Sequence, residues 1–168
     1  MPISGAEVPI AQLAVSAALG IGLATAAGFR LFLPMLVASI AAHLGYLPLS
    51  EGFSWLSSPE AMTVFGVAAA AEILAYYIPV VDNLLDSLAT PAAMVAGTLL
   101  SAAVMVDLPP FIKWTAAIIA GGGAAGLTQG VTALVRAHST AFTGGLGNPL
   151  ISSAEIGGAL LMSLLAIA

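Results

Sequence analysis

A few acidic and amide side chains lie within long apolar stretches of this chain, where a charge is costly. Glu72 lies in the run Ala-Ala-Ala-Ala-Glu-Ile-Leu-Ala-Tyr-Tyr, and Gln129 and Glu155 lie in two later apolar segments. A charged side chain facing lipid costs at least about 2.5 kcal/mol, so these groups must face other helices, be paired or be protonated. Glu72 has two interpretations: a structural hydrogen bond to a neighbouring helix, or a site for a proton or a cation.

A second group of polar residues is formed by Asp82, Asn83 and Asp86. Positions 82 and 86 share one face of a helix, and carboxylate and amide oxygens are ligands for hard cations. Pro79 and Pro91 flank the group and predict a short helix set off from its neighbours or re-entrant. The alternative is that Asp82 caps this short helix in the headgroup region.

A third candidate is the glycine-rich run from His138 to Pro149, in which Gly144, Gly145, Gly147 and Asn148 stand close together. Glycines permit unusual dihedral angles, and a turn that leads into a helix N-terminus can bind an anion or a polar headgroup. The Lys and Ser/Thr of a nucleotide-binding phosphate loop are absent. We expect this loop to bring backbone groups to a binding site, with Asn148 and Gln129 as polar helpers.

Basic residues are scarce: the chain has three Lys+Arg against eight Asp+Glu, and a net charge of -5. Arg30 and Arg136 are the predicted charge partners of the buried acids. The excess of acid favours a cation or a proton over an anion as ligand, and it leaves no basic patch for nucleic acid. The absence of Cys excludes thiolate chemistry. The pattern predicts no cofactor, and it does not identify a metal.

Membrane helices must position these residues. The chain is 60% hydrophobic and only 7% charged, whereas a soluble domain carries about 25% charged residues. Helices are the default in lipid because they satisfy their own backbone groups. We predict an all-α, multi-pass transmembrane bundle in a single domain, residues 1–168, with about six membrane helices over residues 8–28, 29–45, 60–79, 91–106, 111–137 and 149–168.

The six segments pair as three hairpins, whose tips are predicted to be broken by Pro and Gly or to be re-entrant. These tips, residues 24–34, 79–91 and 138–149, lie on one side of the membrane if all segments span. Arg30 and Arg136 belong to that side and Lys113 to the other, so the positive-inside rule predicts cytoplasmic tips.

Small residues dominate the fifth segment, where Gly122, Gly126 and Gly130 follow one another at four-residue spacing. Such a face lets two helix backbones approach closely in lipid. It predicts either tight packing within one chain or a homo-oligomer formed through the same face, and both can hold together.

Three runs carry a resemblance to a known family: Glu-Ile-Leu-Ala-Tyr-Tyr-Ile-Pro-Val-Val-Asp-Asn-Leu-Leu-Asp, Ala-Thr-Pro-Ala-Ala-Met-Val-Ala-Gly-Thr-Leu and Thr-Gly-Gly-Leu-Gly-Asn-Pro. From about Gly28 to the C-terminus, the chain resembles the bacterial family of small inner-membrane proteins designated domain of unknown function 4126 (DUF4126). The resemblance implies a multi-pass protein of the bacterial inner membrane. It implies no activity, substrate or site residue.

The acids at membrane depth and the broken tips predict a small transport or channel-type protein for a cation or a proton. Its site residues would be Glu72, Asp82, Asp86 and Glu155. The alternative is a lipid-interacting or scaffold subunit of a membrane complex without transport activity. We expect no enzymatic activity; a lipid-directed enzyme with a metal on Asp82 and Asp86 is the weakest alternative.

Overall fold

The computed structural model describes residues 10–106 and 108–168, apart from the side chains of residues 79, 80, 82–84, 86 and 87. Within these residues the chain forms six helices and no strand, which confirms the predicted all-α class. The helices are α1 (Ile10–Phe29), α2 (Phe32–His43), α3 (Pro59–Ala75), α4 (Pro79–Val104), α5 (Pro110–Thr143) and α6 (Asn148–Ile167). A short 3-10 helix, Ser54–Ser57, lies between α2 and α3.

The middle hairpin tip is not a separate short helix, and that prediction is wrong. The chain turns at Tyr76–Ile78, and α4 then runs without interruption from Pro79 through Pro91 to Val104. Pro79 occupies the first turn, where a missing N–H costs nothing. Pro91 removes one hydrogen bond within the helix, which a helix packed against neighbours tolerates.

The third tip is also shorter than predicted. Helix α5 continues past His138 to Thr143, and only four residues separate it from α6. The turn begins at Gly144 and Gly145, whose φ angles of 62° and 89° lie in the left-handed region that favours glycine. The helix therefore ends where glycine permits the reversal, and not where the sequence first becomes polar.

Among the described residues, three helices are long and apolar enough to cross a membrane by length and composition: α1, α5 and α6. Helix α2 has 12 residues, which reach about 18 Å at about 1.5 Å per residue, whereas the hydrocarbon core is about 30 Å thick. The predicted bundle of six complete spans is therefore not confirmed. The apolar helices remain compatible with a membrane protein.

Helix α1 packs against α4, α5 and α6, and small residues allow the close approach. A Cβ atom built on Gly28 would lie 2.5 Å from the carbonyl oxygen of Ala125 in α5. A Cβ atom on Gly97 in α4 would lie 2.5 Å from the Cβ of Ala125. Because a side chain has no space at these crossings, glycine there brings three helices into backbone contact.

The glycine face of α5 is used within the chain. Residues Ala117–Gly122 form a π-helical stretch of α5, and the added Cβ of Gly122 would lie 2.7 Å from Thr98 Oγ1 in α4. That of Gly126 would lie 2.8 Å from Met94 Cγ, whereas Gly130 has open space. The face thus packs α5 against α4, and a homo-oligomer through it stays a prediction.

Candidate functional site

The helical backbone is interrupted between α1 and α2, and a side chain from α3 accepts hydrogen bonds from the main-chain N–H groups there. The Glu72 carboxylate accepts the main-chain N–H of Leu31 on Oε1 at 2.8 Å and that of Phe32 on Oε2 at 3.0 Å. These donors lie at the start of α2, where a helix has unpaired N–H groups and a partial positive charge. Glu72 therefore caps α2 from another hairpin. This contact corresponds to the structural interpretation of Glu72, a hydrogen bond to a neighbouring helix.

Both predicted charge partners converge on one buried acid. Arg136 binds Glu155 with Nε donating to Oε1 at 3.0 Å and Nη2 contacting Oε2. Arg30 Nη2 lies 3.1 Å from the same Oε2. The side chains of Arg30 and Arg136 are 0% and 2% exposed, so this is an ion cluster inside the bundle.

The two arginines also share an aromatic partner. The guanidinium carbon of each lies 4.1 Å from the ring centroid of Tyr76, at the end of α3. Arg30 Nη2 further donates to the carbonyl oxygen of Ser152 at 3.1 Å and contacts its hydroxyl. The cluster thus joins residues from the α1–α2 break, from the end of α3, and from α5 and α6.

The ion cluster of Arg30, Arg136 and Glu155 has a formal charge of +1 by itself, and the ionised carboxylate of Glu72 on α3 would balance it. Arg30 and Arg136 carry two positive charges, and Glu72 and Glu155 carry two negative charges when ionised. The acidic excess of the chain therefore does not come from this cluster. In the described part of the chain, no group of three or more His, Asp or Glu is arranged to hold a metal ion.

A cavity of about 440 Å³ lies beside the helix break. Its walls come from α1 to α5, and eleven of the fourteen lining residues are Ala, Leu or Phe. The polar lining residues are Glu72, Tyr76 and Gln129. Gln129 is 4% exposed, and its Nε2 has no hydrogen-bond partner among the described residues. The cavity is large enough for a small organic molecule, since such sites occupy about 300–1,000 Å³.

The predicted acidic group of α4 lies largely outside the described residues. Asp82, Asn83 and Asp86 are within the helical backbone of α4, but their side chains are not described. Leu85 and Leu88 of the same turns line the cavity. A cation site on the two aspartates therefore stays a prediction.

The glycine-rich loop is not part of the cavity wall. The main-chain N–H of Gly147 donates to Thr143 Oγ1 at 3.0 Å, and that of Asn148 donates to the Gly145 carbonyl at 3.1 Å. The Asn148 side chain donates to Thr140 Oγ1 at 3.1 Å. The loop's role in ligand binding stays a prediction, because these donors serve the turn and its two helices.

Sequence reasoning missed Tyr76, Ser152 and the N-terminus of α2 as parts of the site. Tyr76 follows Glu72 by one helical turn, so the two share a face of α3. That spacing was the available signal for Tyr76. Ser152 contributes a carbonyl oxygen, and no sequence pattern identifies such a contact.

The apolar helices, with their buried ion cluster and mostly apolar cavity, are compatible with a small helical membrane protein. The sequence matches the family described as domain of unknown function (DUF4126) over residues 17–168, and the chain belongs to that family. No curated protein matches the chain, and no solved structure matches it.

Proposed function

We propose that this protein is a small transport-type protein of the bacterial inner membrane that binds a cation or a proton in the cavity beside the α1–α2 break. The observation that carries the proposal is the position of Glu72, which is one of the residues that line a cavity of about 440 Å³. A carboxylate at membrane depth is a common site for a proton or a cation.

Glu72 can hold a ligand while it caps α2. Each of its oxygens accepts one main-chain N–H, from Leu31 or Phe32. An ionised carboxylate offers about four acceptor positions, so about two are left for a ligand in the cavity. Glu155 is less suited to this role, because both of its oxygens contact arginine in a buried cluster.

The broken helix is a second support. Irregular backbone at membrane depth is tolerated where it is buried in protein or lines a cavity, and Leu31 and Phe32 do line this one. Discontinuous helices whose termini point at a central site are a recurrent device of transporters. The α1–α2 break is similar to this arrangement, with Glu72 bound at the N-terminus of α2.

The test is flux through the purified protein in liposomes that contain a pH-sensitive dye. Under an imposed proton or cation gradient, we expect the wild type to change the internal pH or the internal cation content. Glu72→Gln should lose this flux, and Glu51→Gln should keep it, because Glu51 is an exposed acid in the α2–α3 connection. No flux under any gradient, or equal flux in Glu72→Gln, would contradict the proposal.

A lipid-interacting subunit is the second candidate, and one feature favours it. A groove of about 270 Å³ runs between α4 and α5 and is lined by Met94, Val95, Thr98, Leu99, Ile118 and Gly122. Its mostly apolar lining suits an acyl chain. Retention of a phospholipid in native mass spectra of the wild type, and its loss in Gly122→Leu, would support this candidate; equal lipid retention would oppose it.

A further inference from the structure

The lining and the volume of the cavity beside Glu72 favour a ligand larger than a bare ion. Eleven of the fourteen described lining residues are Ala, Leu or Phe, and the side-chain oxygen atoms among those fourteen belong to Glu72, Tyr76 and Gln129. Hard cations such as Ca²⁺ and Mg²⁺ require six or more oxygen ligands, with waters included. The described side chains of this wall offer fewer oxygen ligands than such an ion requires.

The volume of the cavity suits a small organic molecule. At about 30 Å³ for each water-sized group, a cavity of about 440 Å³ holds about 15 non-hydrogen atoms. Transfer of apolar surface from water into such walls is favourable by about 25 cal/mol per Å². The walls therefore favour the binding of a ligand with an apolar ring or a short apolar chain.

One end of the cavity carries a negative charge that has acceptor positions to spare. The positive charges nearest in the fold, Arg30 and Arg136, are directed at Glu155 and Tyr76 and do not line the cavity. Gln129 adds a second polar group, which is 4% exposed and whose Nε2 has no partner among the described residues.

We infer that the ligand is an apolar organic cation, with its ring or chain against the alanine and leucine walls and its ammonium group at Glu72. This inference rests on the proposed function and narrows it, because it replaces an inorganic ion by a lipophilic monocation. Recognition then needs both parts of the molecule: the charge for Glu72 and the apolar body for the cavity.

The experiment uses the full chain in detergent and radiolabelled benzyltrimethylammonium, whose charge does not depend on pH. Neopentylbenzene is its uncharged carbon isostere, and tetramethylammonium has the charge without the ring. We expect each competitor to displace the label at least about tenfold less well than unlabelled benzyltrimethylammonium, a difference of about 1.4 kcal/mol in binding free energy.

Two pairs of variants locate the site. Glu72→Gln should weaken binding at least about tenfold, and Glu51→Gln should not change it. Ala68→Phe fills the cavity and should also weaken binding, whereas Ala70→Phe, on an exposed position of α3 outside the cavity, should not. Ala68→Phe keeps the cap on α2, so it tests the cavity even if Glu72→Gln fails to fold.

The outcomes separate the two proposals. If the label does not bind but the flux assay still depends on Glu72, the substrate class is wrong and the proposed function stands. If neopentylbenzene competes as well as the cation, or if Ala68→Phe binds the label normally, the inference is overturned. If neither binding nor flux is seen, both proposals fail.

Discussion

The carboxylate of Glu72 accepts the main-chain N–H of Leu31 at 2.8 Å, across 41 positions of sequence. A side chain of α3 thus completes the first turn of α2, a helix for which no residue of its own provides a side-chain cap. An N-terminal cap is ordinarily local, within about three residues. Here it joins two hairpins, and the stability of the first hairpin depends on the second.

Removal of this cap should destabilise the protein. We expect Glu72→Ala to lower the free energy of unfolding by about 1–2 kcal/mol, because two helix N–H groups lose their acceptor. Glu72→Gln keeps one acceptor oxygen and should lose less. The measurement is unfolding in mixed detergent micelles, with Glu51→Ala as the exposed control. A Glu72→Ala protein as stable as that control would contradict the capping role.

The buried pair Arg136–Glu155 should be strongly coupled. Glu155→Gln leaves two buried arginines without their anion and should cost about 3–5 kcal/mol. Arg136→Met should be destabilising by itself, but the double variant should cost less than the sum, with a coupling energy of about 1–3 kcal/mol. Additive losses in a double-mutant cycle would show that the two side chains act independently.

The stacking of two arginines on Tyr76 should depend on the ring. Tyr76→Phe keeps the π-face at 4.1 Å from both guanidinium carbons, whereas Tyr76→Leu removes it. We expect Tyr76→Leu to be less stable than Tyr76→Phe by about 2 kcal/mol, since each desolvated cation–π contact contributes about 1 kcal/mol or more. Equal stability of the two variants would mean that the ring only fills space.

Two glycines offer a matched test of helix packing. Gly97→Ala would put a Cβ 2.5 Å from that of Ala125 and 2.9 Å from the Gly121 carbonyl oxygen, and it should destabilise the fold by about 1–3 kcal/mol. Gly130→Ala meets nothing within 4 Å and should stabilise α5 by up to about 1 kcal/mol. Melting temperatures that fall equally in both variants would contradict this description of the α4–α5 contact.

We expect the buried Nε2 of Gln129, which has no partner among the described residues, to lower the free energy of unfolding. Gln129→Met removes a buried donor and retains the length of the side chain, so we expect equal or higher stability, by up to about 1 kcal/mol. Ser101→Ala is the contrasting case, because Ser101 Oγ donates to the Gly20 carbonyl at 2.8 Å. If Gln129→Met is the more damaging of the two, the amide has a partner in the protein.

The sequence predicts the helical class and marks the residues that must turn inward. Glu72, Glu155, Arg30 and Arg136 could be singled out because a charge in an apolar segment needs a partner. Which acid meets which arginine could not be predicted, because that depends on how each helix is rotated in the bundle. Apolar residues occupy all sides of these helices, so the hydrophobic pattern does not distinguish the side that faces the interior of the bundle.

The errors have local causes. The proline rule predicted a helix boundary at Pro91, but α4 continues through it because packing within the bundle tolerates one lost hydrogen bond. Polar residues after Ala137 suggested a loop, but α5 continues until Gly144 allows the left-handed turn. The cavity itself arises where the ends of α1 and α3 meet α4, and no single segment of the sequence contains it.

The cap on α2 has a consequence for biosynthesis. Leu31 and Phe32 are synthesised about forty residues before Glu72, so their two main-chain N–H groups lack this acceptor until α3 has been made. In lipid such donors cannot be left bare, and the nascent first hairpin must stay near water, headgroups or the insertion machinery until α3 arrives. Insertion of the N-terminal half should therefore proceed as one unit, and truncation before Glu72 should leave the first hairpin prone to degradation.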